Sequence, residues 1–369
     1  MRLLLISLLA GHGLIHLMGF AKAFGYAEMN QLKQPVSSAA GVAWLIGCVA
    51  FLAAGVLLLM GASGWHMVAL AAIAISQVLI FTAWSDAKFG TVANLLILLP
   101  ATAAALDPRP TSFRNRYDAV VRESLAQQQP TPAVVTEEDL RPLPPLVQRY
   151  LRVVGAVGRP RVASVRIVFT GEFRKEMQGN AMAFRSEQVN TFTPPVRAFL
   201  MNMPMYGLPT EGCHLMHHGH ATMQIKLASA LQVVDARGPE MDRSETVTYF
   251  NDLCLFAPVA LIDREGIQWE EDGPQSVRAA FTLHGITIHA KLLFNEAGEL
   301  VDFVSSDRYL SADGKTYRSY PWSTPVQSYQ TMSGGRRVPK YAEAVWHMPE
   351  GKFVYGKFNV ERVDYPGAL

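Results

Sequence analysis

Four apolar stretches fill the first 106 residues of this chain, and no other feature constrains its fold as strongly. They span residues 3–20, 39–60, 65–84 and 91–106 and contain no Lys, Arg, Asp or Glu. A helix needs about 20 apolar residues to cross a bilayer, and in lipid the backbone has to hydrogen bond to itself. We therefore predict a four-helix transmembrane region over residues 1–106, although Pro100 interrupts the short fourth stretch.

The first stretch has a second interpretation as a cleavable signal peptide. Arg2 precedes the apolar run, and residues 21–23 (Ala-Lys-Ala) resemble a small-residue cleavage site. His12 and His16 interrupt the run, however, and three more apolar stretches follow it. These features favour a helix that is retained in the mature protein.

Basic residues beside the stretches predict the membrane orientation. Four arginines flank the outer ends of the bundle, and three lysines lie in the loops of the other side: Arg2, Arg109, Arg114 and Arg116 against Lys22, Lys33 and Lys88. The positive-inside rule then places both termini in the cytoplasm. We expect an integral protein of the inner (cytoplasmic) membrane, with membrane lipids as partners and its C-terminal domain in the cytoplasm.

His12 and His16 are four residues apart, so they lie on one face of the first predicted helix. Ionisable groups inside a membrane are candidates for function. Here the candidate roles are haem or metal ligation and proton passage. The alternative is a pair of neutral imidazoles that hydrogen bond to neighbouring helices.

The composition changes after residue 106. Residues 107–141 are basic and Pro-rich, which suits a linker at a membrane surface. Apolar residues then recur at helical spacing over residues 143–154 and predict a short helix at the start of a domain over residues 142–369.

Two-residue alternation dominates this domain and predicts strands over residues 165–173, 277–283, 286–294, 340–348 and 352–363. One helix is predicted over residues 243–262, where Asp242 and Glu245 fit a capping box. The predicted fold class is an α-helical membrane bundle followed by an α+β domain, with a curved antiparallel sheet packed on one long helix.

The predicted helix carries Glu245 and Asp252 on one face, opposite an apolar face. Two carboxylates can act as general acid and general base where burial separates their pKa values. In the structural alternative, Glu245 caps the helix and Asp252 is solvated.

Residues 214–220 form the densest titratable cluster of the chain, with histidines at positions His214, His217, His218 and His220. Four histidines could bind a transition metal or supply acid and base. In a single strand, three of them would share a face and His217 would point away. Because no zinc-type spacing accompanies them, we predict no metal site and interpret the segment as a polar strand or loop near a cleft.

Aromatic residues crowd the last third of the chain, at Trp322, Tyr329, Tyr341, Trp346, Phe353, Tyr355 and Phe358. They either form core or line a pocket for a lipophilic ligand. Arg308 offers a planar cation for an anionic group, unless it forms a structural ion pair with Asp307.

Several function classes find no support in the sequence. It contains no Gly-x-Ser-x-Gly, phosphate loop or Rossmann fingerprint. A net charge of +2 gives no reason to expect nucleic acid as a partner. The cofactor and the catalytic residues remain unknown. Cys213 and Cys254 are either a disulfide or two buried thiols.

Several strings together resemble an uncharacterised bacterial family of multi-span membrane proteins that end in a domain of unknown function. They are residues 12–20 (HGLIHLMGF), 146–151 (LVQRYL), 245–252 (ETVTYFND), 294–301 (FNEAGELV), 307–309 (DRY) and 321–322 (PW). The resemblance extends over nearly the whole chain and implies no established activity. The sheet-and-helix domain is also similar in fold to periplasmic lipoprotein carriers.

We therefore expect a membrane-anchored module that binds a lipophilic or amphiphilic small molecule between the concave sheet and the helix. The candidate ligand-binding residues are Glu245, Asn251, Asp252, Arg308, Trp322 and Tyr329. One alternative is a membrane-bound enzyme that uses His214–His220 or the Glu245/Asp252 pair. The other is a membrane sensor or structural protein that uses His12 and His16.

Overall fold

Residues 2–106, 112–129, 133–205, 208–229, 231–262, 264–332 and 334–366 are described by the structure, a computed structural model. The chain divides into two compact units. The first comprises Met1–Ser112 and Ala228–Ala230, and the second comprises Phe113–Leu227 and Leu231–Leu369. The first is helical and the second is built on a large sheet.

The helical unit contains α1 (Arg2–Ile15), α2 (Leu17–Ala23), α3 (Ser38–Met60), α4 (Trp65–Thr82), α5 (Trp84–Ala87) and α6 (Gly90–Leu106). Among the residues that the structure describes, three helical segments are long and apolar enough to cross a membrane: Arg2–Ala23, Ser38–Met60 and Trp65–Thr82. The fourth predicted span falls in α6, which is apolar but has only 17 residues. Such a helix is about 25 Å long, shorter than the roughly 30 Å of a hydrocarbon core.

Small residues fill the centre of this unit, where Ala54, Ala69 and Ala72 are fully buried beside Phe51. Small side chains let helices approach closely, as they do in lipid. Large apolar side chains instead point outwards, among them Leu4, Val49, Leu59 and Phe81. An apolar exterior around apolar helices indicates association with a membrane.

The second unit begins with three helices: α7 (Phe113–Ala126), α8 (Glu137–Leu140) and α9 (Pro145–Val153). Its strands before the long helix are β1 (Ser164–Phe173), β2 (Met182–Phe192), β3 (Pro195–Met205), β4 (Leu208–His217), β5 (His220–Leu227) and β6 (Leu231–Ala236). The long helix α10 (Pro239–Phe256) follows, with a 3-10 turn at Pro258–Leu261.

After α10 come β7 (Ile267–Glu271), β8 (Ser276–Leu283), β9 (Ile286–Phe294), β10 (Leu300–Ser305), β11 (Tyr309–Leu310), β12 (Arg318–Ser319), β13 (Trp322–Ser323), β14 (Val326–Thr331), β15 (Arg337–Met348) and β16 (Gly351–Asp364). One sheet has the order β6-β5-β4-β3-β2-β1-β16-β15-β13-β10-β9-β8-β7, with β14 beside β15, and its pairings are antiparallel. The five predicted strands fall within β1, β8, β9, β15 and β16.

The sheet curves around α10. The backbone N–H of Ala221 in β5 donates to Asp242 Oδ1 at 2.6 Å, and Arg243 Nη1 donates to the Thr287 carbonyl in β9 at 2.8 Å. In a flat sheet β5 and β9 would lie about 43 Å apart at a strand spacing of roughly 4.8 Å. Because neighbouring residues of one helix reach both strands, the sheet has to curl, and α10 is buried from Ser244 to Phe256.

The start of α10 differs from the sequence prediction. The helix begins after Gly238, which has φ 99°, and Pro239 occupies its first turn, where the missing N–H costs nothing. Glu245 therefore lies inside the helix, and the expected capping box with Asp242 does not form. The helix ends at Phe256, and the remaining predicted residues form the 3-10 turn.

The region expected to be a linker, residues 107–141, also differs in its described part. Phe113, Tyr117 and Val121 recur every four residues along α7 and are buried against β2, β3 and β4. Their partners are Val189, Ala198, Leu200, Cys213 and Leu215, which alternate with the residues that face α10. Helix α7 thus covers the outer face of these strands, so this part of the range belongs to the folded unit.

Candidate functional site

Two adjoining cavities lie between α10 and the inner face of the sheet. The smaller has a volume of about 140 Å³ and the larger about 330 Å³. Both are lined by Phe173, Met201, His214, Arg308 and Tyr355. The smaller cavity is bordered by polar groups of α10, whereas methionines of β3, β5 and α10 line much of the larger one. Apolar side chains predominate in the lining of both cavities.

A buried ionic group, which we call the Arg197 centre, borders the smaller cavity. Arg197 in β3 donates from Nε to Asp252 Oδ2 at 2.7 Å and from Nη1 to Glu245 Oε2 at 2.9 Å. Gln188 and Asn190 in β2 also donate to Asp252 Oδ2, at 2.8 and 3.1 Å. Glu245 and Asp252 are seven residues apart, two turns of α10, so both face β3.

Burial and the arginine act in opposite directions on these carboxylates. Burial alone would raise the pKa of Glu245, but the charge of Arg197 and a hydrogen bond from His214 hold that pKa at about 2. Burial raises the pKa of Asp252, and Arg197 opposes that rise. Both carboxylates are almost fully buried, at 0% and 5% exposure. The polar face that the sequence assigned to α10 is therefore internal.

Arg308 meets a different set of partners at the junction of the two cavities. Its Nε donates to Thr248 Oγ1 at 3.2 Å, and its Nη1 donates to the Tyr355 hydroxyl at 3.0 Å. Its guanidinium lies 4.6 Å from the Trp322 ring centre and 5.3 Å from that of Trp346. Among the residues that the structure describes, no carboxylate is within 4.0 Å of it.

Asp307, the alternative partner that the sequence offered for Arg308, points elsewhere. Its carboxylate lies 3.8 Å from Arg243 Nη1 and 3.2 Å from His289 Nδ1. The structural Asp307–Arg308 ion pair considered for the sequence is therefore not formed.

Five of the six predicted ligand-binding residues come together. Glu245, Asn251, Asp252, Arg308 and Trp322 all line the smaller cavity. Asn251 accepts a hydrogen bond from Thr324 Oγ1 at 2.7 Å, and Trp322 Nε1 donates to the Tyr355 hydroxyl at 3.0 Å.

Tyr329 is the exception. Its hydroxyl donates to the Leu300 carbonyl at 2.7 Å, and its ring packs against the core outside the linings of both cavities. The aromatic crowding of the last third therefore includes both cavity lining and ordinary core.

Sequence reasoning missed Arg197, Gln188 and Asn190. A signal was present, because Arg197 is the only charged residue of the mostly apolar strand β3. A buried charge needs a partner, and Gln188 and Asn190 are two residues apart and so share one strand face.

The four histidines do not converge. Strand β4 ends at His217, and His218 and Gly219 form a turn with φ values of 54° and 80°. Positive φ at both central residues is typical of a tight hairpin. The four histidines therefore do not lie on a single strand, and the segment is the end of a strand followed by a tight turn. His214 alone lines the cavities, with Nδ1 3.5 Å from Glu245 Oε1.

The remaining histidines lie outside both cavities. His217 Nε2 and His218 Nε2 are 3.8 and 3.9 Å from Glu123 Oε1, and these three side chains are close enough to share a metal ion. His220 is exposed and lies 3.5 Å from Asp242 Oδ2.

His12 and His16 lie in the helical unit, where both are buried. His12 Nε2 is 3.0 Å from Asn94 Oδ1 and 3.4 Å from Ser76 Oγ, while His16 Nδ1 is 2.8 Å from the His12 carbonyl. His16 Nε2 has no partner among the described residues. Hydrogen bonds to neighbouring helices thus account for the His12 ring, whereas His16 bonds to a carbonyl four residues before it in its own helical segment.

Cys213 and Cys254 are both free and buried. Cys213 packs beneath α7, whereas Cys254 belongs to the core around α10. Burial raises the pKa of Cys213 to about 12, so its thiol stays protonated at neutral pH. Neither thiol is placed to act as a nucleophile in the cavities.

Comparisons with known proteins agree with the expected family. The model of a family of unknown function (DUF6544) matches residues 133–358. No curated protein matches the chain. A solved structure named as an outer membrane lipoprotein-sorting protein domain, from Vibrio parahaemolyticus, is 10% identical over 56% of this chain and 87% of its own, with a TM-score of 0.32. A DUF1329 family protein from Desulfovibrio piger is 10% identical over 64% and 95%, with a TM-score of 0.34. Both likenesses are distant.

Proposed function

Because this chain belongs to the family of unknown function DUF6544, its role has to be inferred from its own site, and we propose that it is a membrane-anchored module that binds a lipophilic or amphiphilic small molecule. The observation that carries the proposal is the pair of adjoining cavities beside α10, which are lined mainly by apolar side chains and also by the charged groups Glu245, Asp252 and Arg308. An amphiphile likewise combines a large apolar part with a polar group.

The larger cavity suits an apolar chain. Its volume of about 330 Å³ falls in the range of small-molecule pockets, roughly 300–1,000 Å³. Met201, Met203, Met205, Met223 and Met241 contribute to its lining. Methionine side chains are unbranched and polarisable, so they adapt to ligands of varied shape. Burying an apolar chain there would contribute about 25 cal/mol per Å² removed from water.

The helical unit supplies the anchor in this proposal. We include α6 as a fourth span, with local thinning of the bilayer compensating for its short length. We place the sheet unit in the cytoplasm from the arginine excess. We divide the chain into a membrane region over residues 1–106, a short connection and the sheet unit.

Reporter fusions after Leu369 and within residues 22–33 test the proposed orientation, and they should report opposite sides of the membrane. A periplasmic C-terminus would reverse the proposed orientation.

Native mass spectrometry of the full chain, purified in a mild detergent, tests the binding function. We expect a co-purified small molecule on the wild type and its loss in Gly212→Leu. Gly212 lines the larger cavity, and a side chain added there would meet only Met201 Cε, at 3.7 Å from its Cβ. The new side chain should therefore fill the cavity without displacing the backbone.

Thr222→Leu is the matched control, because Thr222 neighbours the cavity residue Met223 in β5 and so points to the opposite face. This variant should keep the co-purified molecule. If the wild type carries none, or if Gly212→Leu retains it as fully as Thr222→Leu does, the cavity is not a binding site.

One observation favours a second candidate, an enzyme that acts on the bound molecule. The His214 ring lies 3.5 Å from Glu245 at the cavity wall, and a carboxylate beside a histidine is a common arrangement for general acid–base catalysis. The variant His214→Ala separates the candidates. A binding module should retain the same molecule in both proteins, whereas an enzyme should accumulate in the variant a substrate that the wild type converts.

A further inference from the structure

Arg308 occupies the junction of the two cavities, and its surroundings differ chemically from those of the buried Arg197. From this difference we infer that the ligand is an anionic amphiphile, whose carboxylate or phosphate oxygens bind Arg308 while its apolar chain lies in the methionine-lined cavity. This inference rests on the proposed function and adds to it the charge and the position of the head group.

The partners of Arg308 are all neutral. They are the hydroxyls of Thr248 and Tyr355 and the indole rings of Trp322 and Trp346. A guanidinium has five N–H donors, and the described contacts of Arg308 engage its Nε and Nη1. Arg197, in contrast, uses Nε, Nη1 and Nη2 on Asp252, Glu245 and Gln188. Arg308 therefore keeps donors for an oxygen anion.

The nearby carboxylates do not bind Arg308 as such an anion would, because other groups hold them. Glu245 and Asp252 are held by Arg197, and Glu343 accepts a hydrogen bond from the Tyr341 hydroxyl at 2.9 Å. A cationic head group would have to compete with Arg197 for its counter-ions. An anionic head group would instead supply Arg308 with a counter-ion, which its contacts do not include. Withdrawing a cation from water is costly without such a partner.

The surroundings of Arg308 fix where its free edge points. The two indoles lie against the guanidinium, an arrangement that stabilises a cation, and Thr248 holds Nε against α10. A planar cation held in this way can donate two parallel hydrogen bonds to one carboxylate or phosphate. Because Arg308 lines both cavities, a head group on it leaves the apolar chain directed into the larger cavity.

Titration of the delipidated full chain in a non-ionic detergent tests this inference. The probes are oleate, oleyl phosphate and the uncharged oleyl alcohol, and binding is followed by tryptophan fluorescence. We expect both anions to bind about 10- to 100-fold more tightly than the alcohol, the range that a charge-assisted hydrogen bond provides. Arg308→Met should lower the affinity for both anions to that of the alcohol and leave the alcohol's affinity unchanged.

Two further variants guard against an effect of folding. Arg308→Lys keeps the charge and loses the planar fork, so it should retain part of the preference for anions. Thr248→Val removes the acceptor for Nε and should weaken anion binding less than Arg308→Met does.

The outcomes separate this inference from the function on which it rests. Equal binding of all three probes, unchanged in Arg308→Met, would refute the anionic head group and leave a general lipophile site standing. Failure of every probe to bind the wild type would overturn both.

Discussion

Two arginines, one from β3 of the curved sheet and one from the loop after β10, contact the same helix with opposite chemistry. Arg197, from β3, is 6% exposed and pairs with two carboxylates of α10. Arg308, just before β11, is only half-buried and contacts neutral hydroxyls and indoles. The first forms a self-contained ionic centre, while the second leaves a cation facing a cavity. The same residue type is thus structural in one region and available to a ligand in the other.

One face of α10 serves both arginines. Glu245, Thr248 and Asp252 are separated by three and four residues, so they line up along the helix. Glu245 and Asp252 contact Arg197, and Thr248 between them contacts Arg308. This arrangement is possible because the sheet curls and brings strands from distant positions to one helix face.

The largest effect should come from breaking the ionic centre. We expect Arg197→Met to destabilise the protein by about 3–5 kcal/mol, because it leaves two buried carboxylates without their cation. Arg308→Met should cost much less, since no buried charge loses its partner. The midpoint of thermal unfolding, measured by circular dichroism on the full chain in detergent, compares the two variants.

A triple variant shows whether charge is the cause. Arg197→Met combined with Glu245→Gln and Asp252→Asn removes all three charges, and most of the lost stability should return. If the triple variant is as unstable as Arg197→Met, or if Arg308→Met is equally damaging, the contrast between the two arginines is wrong.

How well the sequence predicted each strand or helix depended on how many of its faces are covered by other elements. Strands β8 and β9 alternate between buried and more exposed positions, and their alternation predicted them. Strand β2 from Gln188 to Phe192 and strand β3 from Val196 to Met201 are buried at every residue, because α10 covers one face and α7 the other. Coverage of both faces removes the alternation, so the strand that carries Arg197 was not predicted.

The helices show the same dependence. In α9, the buried Val147, Tyr150 and Leu151 recur at helical spacing and predicted the helix. Helix α10 is buried from Ser244 to Phe256, so the alternative in which Asp252 is solvated is wrong. Glu245 and Asp252 were recognised as a pair, but Arg197 is distant in sequence and only tertiary structure reveals it.

Asp302 is a partly buried carboxylate without an arginine partner, and its substitution should change stability by an intermediate amount. Burial raises the pKa of Asp302 in β10 to about 6, from an ordinary value of 3.8. Its Oδ1 is buried and has no hydrogen-bond partner among the described residues. The folded state therefore holds the Asp302 proton more tightly than the unfolded state does, and its contribution to stability falls as pH rises from about 4 to about 6.

Asp302→Asn should remove this loss of stability at rising pH. We expect the variant to gain about 1–2 kcal/mol relative to the wild type between pH 3.5 and pH 7.5, because one pKa unit corresponds to about 1.4 kcal/mol and the residue is partly exposed. Thermal unfolding of both proteins at several pH values measures the difference. A constant difference across this range would show that the carboxylate does not titrate there.

The smallest effect should come from an arginine at the surface of the same sheet. Arg185 in β2 pairs with Glu361, but their side chains are 56% and 40% exposed. Water screens such a pair and solvates either partner when the other is removed, so exposed pairs contribute roughly 0–1 kcal/mol. We expect Arg185→Met to change the unfolding midpoint little and to leave the binding of oleate and oleyl alcohol unchanged. A loss comparable with that of Arg197→Met would mean that removing any arginine weakens this sheet. The effect of Arg197 would then have to be attributed to lost packing of its side chain rather than to the two carboxylates on α10.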